Sequence, residues 1–278
     1  RWIHRLELFR KLAAEQLPLV EPVERLKFSF VSGLAELFIA GDLKAVEKIL
    51  SASLAEAQRL KLSEQQLEFN LLRSLYAMHH GRYLVASTAL EQGLNLSIEW
   101  GHLVPNSLLQ VVACSLLHAS GQLDELLLQR KIMTDCCGAD IQRHTGISAL
   151  LGYYTASVYL SRGERQRALE TLEIALLDGQ AVNNIQVQNR LLQYRGWVQA
   201  LSGHKSAAQA DLETGLQLRK QAGGTLYYIE NLLIAGATCF SLQQFDQAVE
   251  YLAEGLSLIH ISEPTRLLSI SYAVFCLK

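Results

Sequence analysis

Three arrangements in this 278-residue chain set reactive side chains next to one another. His79-His80 has the chemistry of a metal ligand pair, but no third ligand follows at helical spacing, and a zinc site needs three or four. Cys136-Cys137 has the chemistry of a redox pair. Together with Cys114 and Cys239 it forms no CxxC motif, so these cysteines read as buried or incidental thiols of a reducing compartment. Asn95-Leu96-Ser97 spells a glycosylation sequon, but it falls on an expected helix in a chain without an export signal. The phosphate-binding and catalytic signatures GxxxxGK[ST], GxGxxG, HExxH and GxSxG are all missing from the sequence. No paired acid and base stands out either, so the chain reads as no enzyme and as needing no cofactor or metal. What remains is binding chemistry. Tyr153, Ser157, Arg190, Gln193 and Trp197 combine aromatic rings with arginine and amide groups, the composition of interaction hot spots.

Composition narrows the partner. Half the residues are hydrophobic, 19% are charged, and the net charge is −2. Phosphate binding needs a basic stripe, so direct nucleic-acid contact is not expected. No run of 18 apolar residues spans a membrane and no signal peptide is visible, which points to a cytoplasmic protein. The chain begins at Arg1 rather than Met, and its N-terminus reads as a cut.

The elements that position these residues announce themselves by repetition. A cassette of the form Gly-x-apolar appears as Gly41-Asp42-Leu43, Gly81-Arg82-Tyr83 and Gly121-Gln122-Leu123. It returns at Gly163 and Gly203 with a basic residue at the apolar place, and a sixth copy has Gln243 for the glycine. The intervals are 40, 40, 42, 40 and 40 residues, a period in the range of helical solenoids. Seven residues before the turn stand mostly small side chains, Ser74, Cys114, Ala156, Gly196 and Gly236. Five and twelve residues after it stand others, among them Ala86, Gly93, Ala168, Ala175, Ala208 and Gly215. A helix-interior glycine costs about 0.5–1 kcal/mol relative to alanine, so Gly93, Gly196, Gly215 and Gly236 call for a close approach of two helix backbones. Each repeat therefore reads as helix A, a tight turn, then helix B. Repeat 3 departs from this pattern with Leu126, Arg130 and Met133, and is expected to be distorted or slipped by one residue.

This spacing of small residues resembles the tetratricopeptide repeat (TPR), with longer helices than its usual period of about 34 residues. The resemblance implies an all-α fold, an α-α superhelix (a TPR-like solenoid) of about six helix-turn-helix repeats with a period near 40 residues. It also implies that the A helices line a concave groove. The inward places in repeats 1–3 are largely apolar or small (Phe28, Val31, Ala35, Leu71, Leu75, Leu108, Val111), while repeats 4 and 5 put Tyr153, Ser157, Arg190, Gln193 and Trp197 there. More narrowly, the stretch Leu90–Leu218 resembles the helical-repeat sensor region of MalT-type, LuxR-terminated regulatory ATPases. The features that carry this are Leu94-Asn95-Leu96-Ser97, Trp100-Gly101-His102, the Gly121 turn, Gln129-Arg130-Lys131-Ile132-Met133, and the helix from Tyr153 to its end at Gly163.

In chain order, residues 1–17 read as an amphipathic helix broken by Pro18 and Pro22, since proline cannot continue a helix interior. Repeat 1 covers about 23–60, and repeat 2 runs from an N-cap at Ser63, with Gln66 in capping-box register, to Trp100. Repeat 3 starts near Pro105 and breaks at Cys136-Cys137-Gly138. Repeats 4 and 5 cover about 141–181 and 182–222, and Gly223-Gly224 precedes repeat 6. Leu256–Arg266 and Ile270–Leu277 back-translate to text that resembles the two parts of a sequencing-library adapter, in one frame and with matching spacing. The repeat domain is therefore expected to cover 1–255, truncated at both ends. Residues 256–278 are expected to be adapter-derived, with any helix there ending near Pro264.

These readings favour a non-catalytic sensor or scaffold segment of a larger bacterial signal-transduction or transcription regulator. Its groove would hold a protein or peptide partner or a small-molecule effector. A free-standing TPR adaptor that docks peptide segments is the alternative.

Overall fold

The computed structural model describes residues 10–11, 21–100, 103–143, 145–222 and 228–262. Among them are twelve helices and no strand. They alternate as A and B helices: α1 (Pro22–Ala35, continued by a wider π-type turn, Glu36–Ala40) and α2 (Leu43–Arg59), then α3 (Ser63–His79) and α4 (Tyr83–Trp100). Next come α5 (Leu103–Ala119) and α6 (Leu123–Arg143), α7 (Thr145–Ser161) and α8 (Arg165–Ala181), α9 (Ile185–Leu201) and α10 (Lys205–Ala222), and α11 (Tyr228–Ser241) and α12 (Phe245–Ser262). The expected helix over residues 1–17 lies outside the described residues except at Arg10 and Lys11, as do Gly223-Gly224 and Pro264. Pro22, expected as a breaker, opens α1, where its missing N–H costs nothing.

One turn closes each A helix from repeat 2 onward. At Gly81 (φ +65°) the chain turns left-handed, Gly81 N–H donates to Met78 O at 3.0 Å, and Arg82 N–H donates to Ala77 O at 2.9 Å. That pair of bonds satisfies carbonyls the helix end would otherwise leave open, and it needs a residue that tolerates positive φ. Gly121, Gly163, Gly203 and Gln243 (φ +64°) repeat the same two bonds, which explains why the cassette keeps its interval. The turns between repeats use the same device without glycine, at Lys61 (φ +56°) and Asn183 (φ +50°). Beyond them, Gln66 and Gln188 each reach back to a carbonyl of the preceding helix, Ala57 O at 3.3 Å and Gly179 O at 3.1 Å. The expected capping box at Ser63 is therefore corrected: Ser63 is the first helical residue behind Leu62, and Gln66 is spent on the previous helix.

The described residues form two compact units, one ending at Leu116 and the other beginning at Leu117. In the first, Leu67 and Leu71 of α3 meet Leu90 of α4 and Leu109, Val112 and Ala113 of α5. Phe30 meets Phe69 edge-on at 6.1 Å, and Gly93 lies under Leu109, whose Cδ2 an added Cβ would approach to 3.0 Å. In the second, small residues set the A–B crossings. Ala168, Ala208, Gly196 and Gly215 are all buried. A Cβ on Gly196 would lie 3.1 Å from Ala208 O, and one on Gly236 would lie 2.7 Å from Leu252 Cγ and 3.3 Å from Ala248 O. The backbone approach expected of these glycines thus holds at Gly196 and Gly236, while Gly93 and Gly215 accommodate side chains.

Repeat 3 is not slipped. Its Gly121 turn has the standard bonds, and Leu126 and Met133 are buried at the same places as Ala168 and Ala175, because the turn sets the register whatever volume fills the slots. Nor does α6 break at Cys136-Cys137-Gly138; helix continues through all three to Arg143. At the other end α12 runs past Gly255 to Ser262, with Leu256 on its exposed side.

Candidate functional site

The five binding residues singled out by sequence all fall in the second unit and are buried there. The reason is the setting of α9, which packs on α7 and α11 to either side and on α8 and α10 as well. A helix so enclosed presents little open surface, whatever its side chains.

Tyr153 and Arg190 come together. The Arg190 guanidinium lies 3.9 Å from the centre of the Tyr153 ring and 5.4 Å from that of Tyr154, a cation–π arrangement. Trp197 joins through Tyr194, which sits 5.6 Å from it and 5.0 Å from Tyr153, both edge-on. Ser157 and Gln193 stay outside this cluster. Ser157 Oγ donates to Tyr154 O at 2.6 Å within α7. Gln193 Nε2 donates to Asn189 Oδ1 at 2.9 Å within α9, and its Cγ fills the space a Cβ on Gly215 would take. Trp197 Nε1 and Gln193 Oε1 are buried without a partner among the described residues.

Four members of the cluster were not expected: Tyr154 and Tyr194 among the rings, and Glu230 and His118. Glu230, in the first turn of α11, accepts hydrogen bonds from Tyr153 OH at 2.5 Å, Arg190 Nη2 at 2.9 Å and Arg190 Nε at 3.2 Å. All three donors use the same oxygen, Oε1. The Tyr153 bond spans 77 residues and links α7 to α11 across an intervening repeat. His118, near the end of α5, lies 5.5 Å from Tyr154 and 6.3 Å from Tyr153. A signal for Glu230 did exist: it stands 40 residues after Arg190, at the same place in the next A helix.

The charges in this cluster are set by its neighbours. Burial alone would raise the Glu230 carboxyl, but the Arg190 charge and the hydrogen bonds from Tyr153 and Arg190 outweigh it and hold the group below the usual carboxylate value. Burial, the Glu230 charge and the bond to it push the Tyr153 hydroxyl well above its ordinary value, against Arg190. Burial, with Arg190 nearby, drives His118 down to about 4, against the weaker pull of Glu230. At neutral pH the site is thus an Arg190⁺–Glu230⁻ pair among neutral rings. The Arg190 side chain is 9% exposed, and that of Glu230 31%.

His79 and His80 stand at the end of α3, where His80 packs edge-on to Tyr76 at 4.5 Å. Among the described residues no group of three or more His, Cys, Asp or Glu could hold a metal ion. No described helix is long and apolar enough to cross a membrane.

No protein family matches the chain, and no curated protein does. Solved structures do. NprR in complex with its cognate peptide NprX matches with a TM-score of 0.67 at 15% identity, over 99% of this chain and 81% of that one. A Rap protein complexed with competence and sporulation factor matches with a TM-score of 0.69 at 12% identity, over 98% of this chain and 77% of that one. At such identities the likeness is one of fold, and that fold is the all-helical TPR-like solenoid.

Proposed function

We propose that this chain is a non-catalytic, peptide-binding helical-repeat segment. The observation that carries the reading is the aromatic–arginine–carboxylate cluster on the A helices of the second unit, which keeps part of one carboxylate open to solvent. In this reading Tyr153, Ser157, Arg190, Gln193 and Trp197 form the packed floor of the binding face, and Glu230 is its exposed rim. Two structural neighbours solved in complex, one with its cognate peptide and one with a competence and sporulation factor, support a peptide rather than a small molecule as the partner. Measuring retention of defined peptide pools by the purified chain tests the proposal, and a chain that retains none of them refutes it.

We also propose that the segment belongs to a larger bacterial signalling or transcription regulator, cytoplasmic and MalT-like in organisation, with the native repeat domain ending at Gly255. The adapter-like text of 256–278 supports that boundary. Reading the gene from genomic DNA in both directions tests it. A frame encoding Ile259–Arg266 would make the tail native, and a full-length frame with neither an ATPase module nor an output module would favour the free-standing adaptor.

A further inference from the structure

Resting on the peptide-binding reading, we propose that Glu230 is a specificity residue, its free carboxylate oxygen anchoring a lysine or arginine side chain of the bound peptide. The three donors that fix this carboxylate, two from Arg190 and one from Tyr153, all converge on Oε1. Among the described residues Oε2 accepts no hydrogen bond, and the side chain remains 31% exposed. A carboxylate accepts at both oxygens, and one held by three donors on one side is already oriented to accept on the other. Its ordering entropy is therefore spent before the ligand arrives.

The surroundings favour a cation. Oε1 shares its charge with one buried guanidinium, and a second cation on Oε2 completes a cation–carboxylate–cation row of the kind found where a carboxylate bridges two arginines. His118 is neutral above about pH 4, so it adds no competing positive charge. An anionic ligand would have to displace Glu230 from Arg190, and that bond is charge-assisted and two-pronged.

The probe is a set of random pentapeptide pools, N-acetylated and C-amidated, each with one fixed residue: Arg, Lys, Asp or Ala. A fifth pool, with fixed Ala and a free N-terminus, separates a side-chain cation from a terminal amine. Retention by the full chain is read by mass spectrometry. The wild type is expected to prefer the Arg and Lys pools to the Ala pool. In Glu230→Gln that preference falls about ten- to hundredfold, the range of a hydrogen bond to a charged group. Because Glu230→Gln removes the charge that pairs with Arg190, the paired variant Arg190→Gln/Glu230→Gln is measured beside it and loses the same preference. Glu250→Gln, on the exposed face of α12, keeps it. If the wild type retains peptides without preferring cationic pools, or if both Glu230 variants keep the preference, the role of Glu230 is wrong while peptide binding stands. Preference for the free-amine Ala pool over the Arg and Lys pools overturns the side-chain assignment. If no pool is retained, peptide binding itself fails, and the inference with it.

Discussion

From repeat 2 onward the A helices of both units close with the same turn, yet one cluster in each unit joins its helices with a different chemistry. In the first unit, α3, α4 and α5 meet through Leu67, Leu71, Leu90, Leu109 and Val112, contacts that have area but no direction. In the second, α7, α9 and α11 meet through Tyr153, Arg190 and Glu230, contacts that exist only at set angles and distances. Apolar packing between successive repeats is enough to hold a solenoid. The polar join is therefore surplus to assembly. It costs desolvation and must be fully paired, and such groups repay that cost where a partner has to be selected.

The largest expected difference follows from that. Glu230→Leu removes the carboxylate that pairs with the buried Arg190 guanidinium and should cost about 3–5 kcal/mol, whereas Leu71→Met in the first unit should cost less than about 1.5 kcal/mol. Adding Arg190→Leu to Glu230→Leu should recover part of the loss, since removing both partners leaves no orphan charge. Urea unfolding midpoints measure all three. Losses that simply add would mean the pair is not coupled and the contrast between units is one of residue names only.

Acid and base should separate the units as well. His118 titrates near 4 in the folded chain against an ordinary 6.5, so between those values the unfolded chain binds the extra proton. Stability from this group is complete above about pH 6.5 and is lost as the pH falls toward 4, by at most about 3 kcal/mol. Glu230, held below its ordinary value, works in the same direction further into acid. In the first unit Glu68 is pushed up to about 7 by burial and by Glu64, against Lys27, and one of its carboxylate oxygens is buried without a partner among the described residues. There the folded chain holds the extra proton, and stability is lost as the pH rises from about 4.5 through 7. Hydrogen-exchange protection, corrected for intrinsic rates, should drop in α7 and α9 between pH 7 and 5, and in α3 between pH 5 and 8. Parallel changes in both places would break the comparison.

What the sequence made legible was whatever the backbone forces. Turns at positive φ demand glycine or a tolerant residue, and backbones crossing closely demand small side chains, so the period, the helix pairs and Ala168, Ala208 and Gly196 could be read directly. Slot volume was a poor guide to register, as Leu126 and Met133 prove by occupying the same places as alanines. The burial of Arg190 and Gln193 was not legible, because a helix flanked on both sides has no polar face for periodicity to reveal. Glu230 escaped because its partner is a repeat away; comparing equal places in successive A helices, rather than each helix alone, would have found an arginine opposite an acid.

Smaller effects separate the units at their glycines. Gly196→Ala drives a methyl to 3.1 Å from Ala208 O and 3.2 Å from Asp211 Cβ, neither of which can step aside, and should cost about 1–3 kcal/mol. Ala208→Leu overpacks the same crossing and should cost a similar amount. Gly93→Ala meets the tip of Leu109, at 3.0 Å and 3.1 Å, with Asn70 Cβ at an ordinary 3.5 Å, and the helix gains about 0.5–1 kcal/mol in propensity, so the balance should lie near zero. Thermal melts of the three variants decide this. Equal losses at Gly93 and Gly196 would mean that both crossings are governed by backbone contact.

The smallest difference lies in the turns between repeats, where both units use a left-handed residue that is not glycine. Lys61 holds φ +56° with a long side chain, a conformation that costs an ordinary L-residue about 1–2 kcal/mol. Asn183 holds φ +50°, but asparagine visits that region several-fold more often, because its short side chain can hydrogen-bond locally. Glycine removes the strain at either place while adding roughly 0.5–1 kcal/mol of unfolded-chain entropy. At Lys61 the relief exceeds that entropy, and Lys61→Gly should stabilise the first unit by up to about 1 kcal/mol. At Asn183 the two nearly cancel, and Asn183→Gly should move stability by less than about 0.5 kcal/mol. The turn hydrogen bonds run between backbone atoms in both cases and survive either change. Denaturant midpoints at equal slope give the two values. Should Lys61→Gly weaken the chain while Asn183→Gly does not, the lysine must be held by its surroundings rather than merely tolerated, and the two turns would differ in kind.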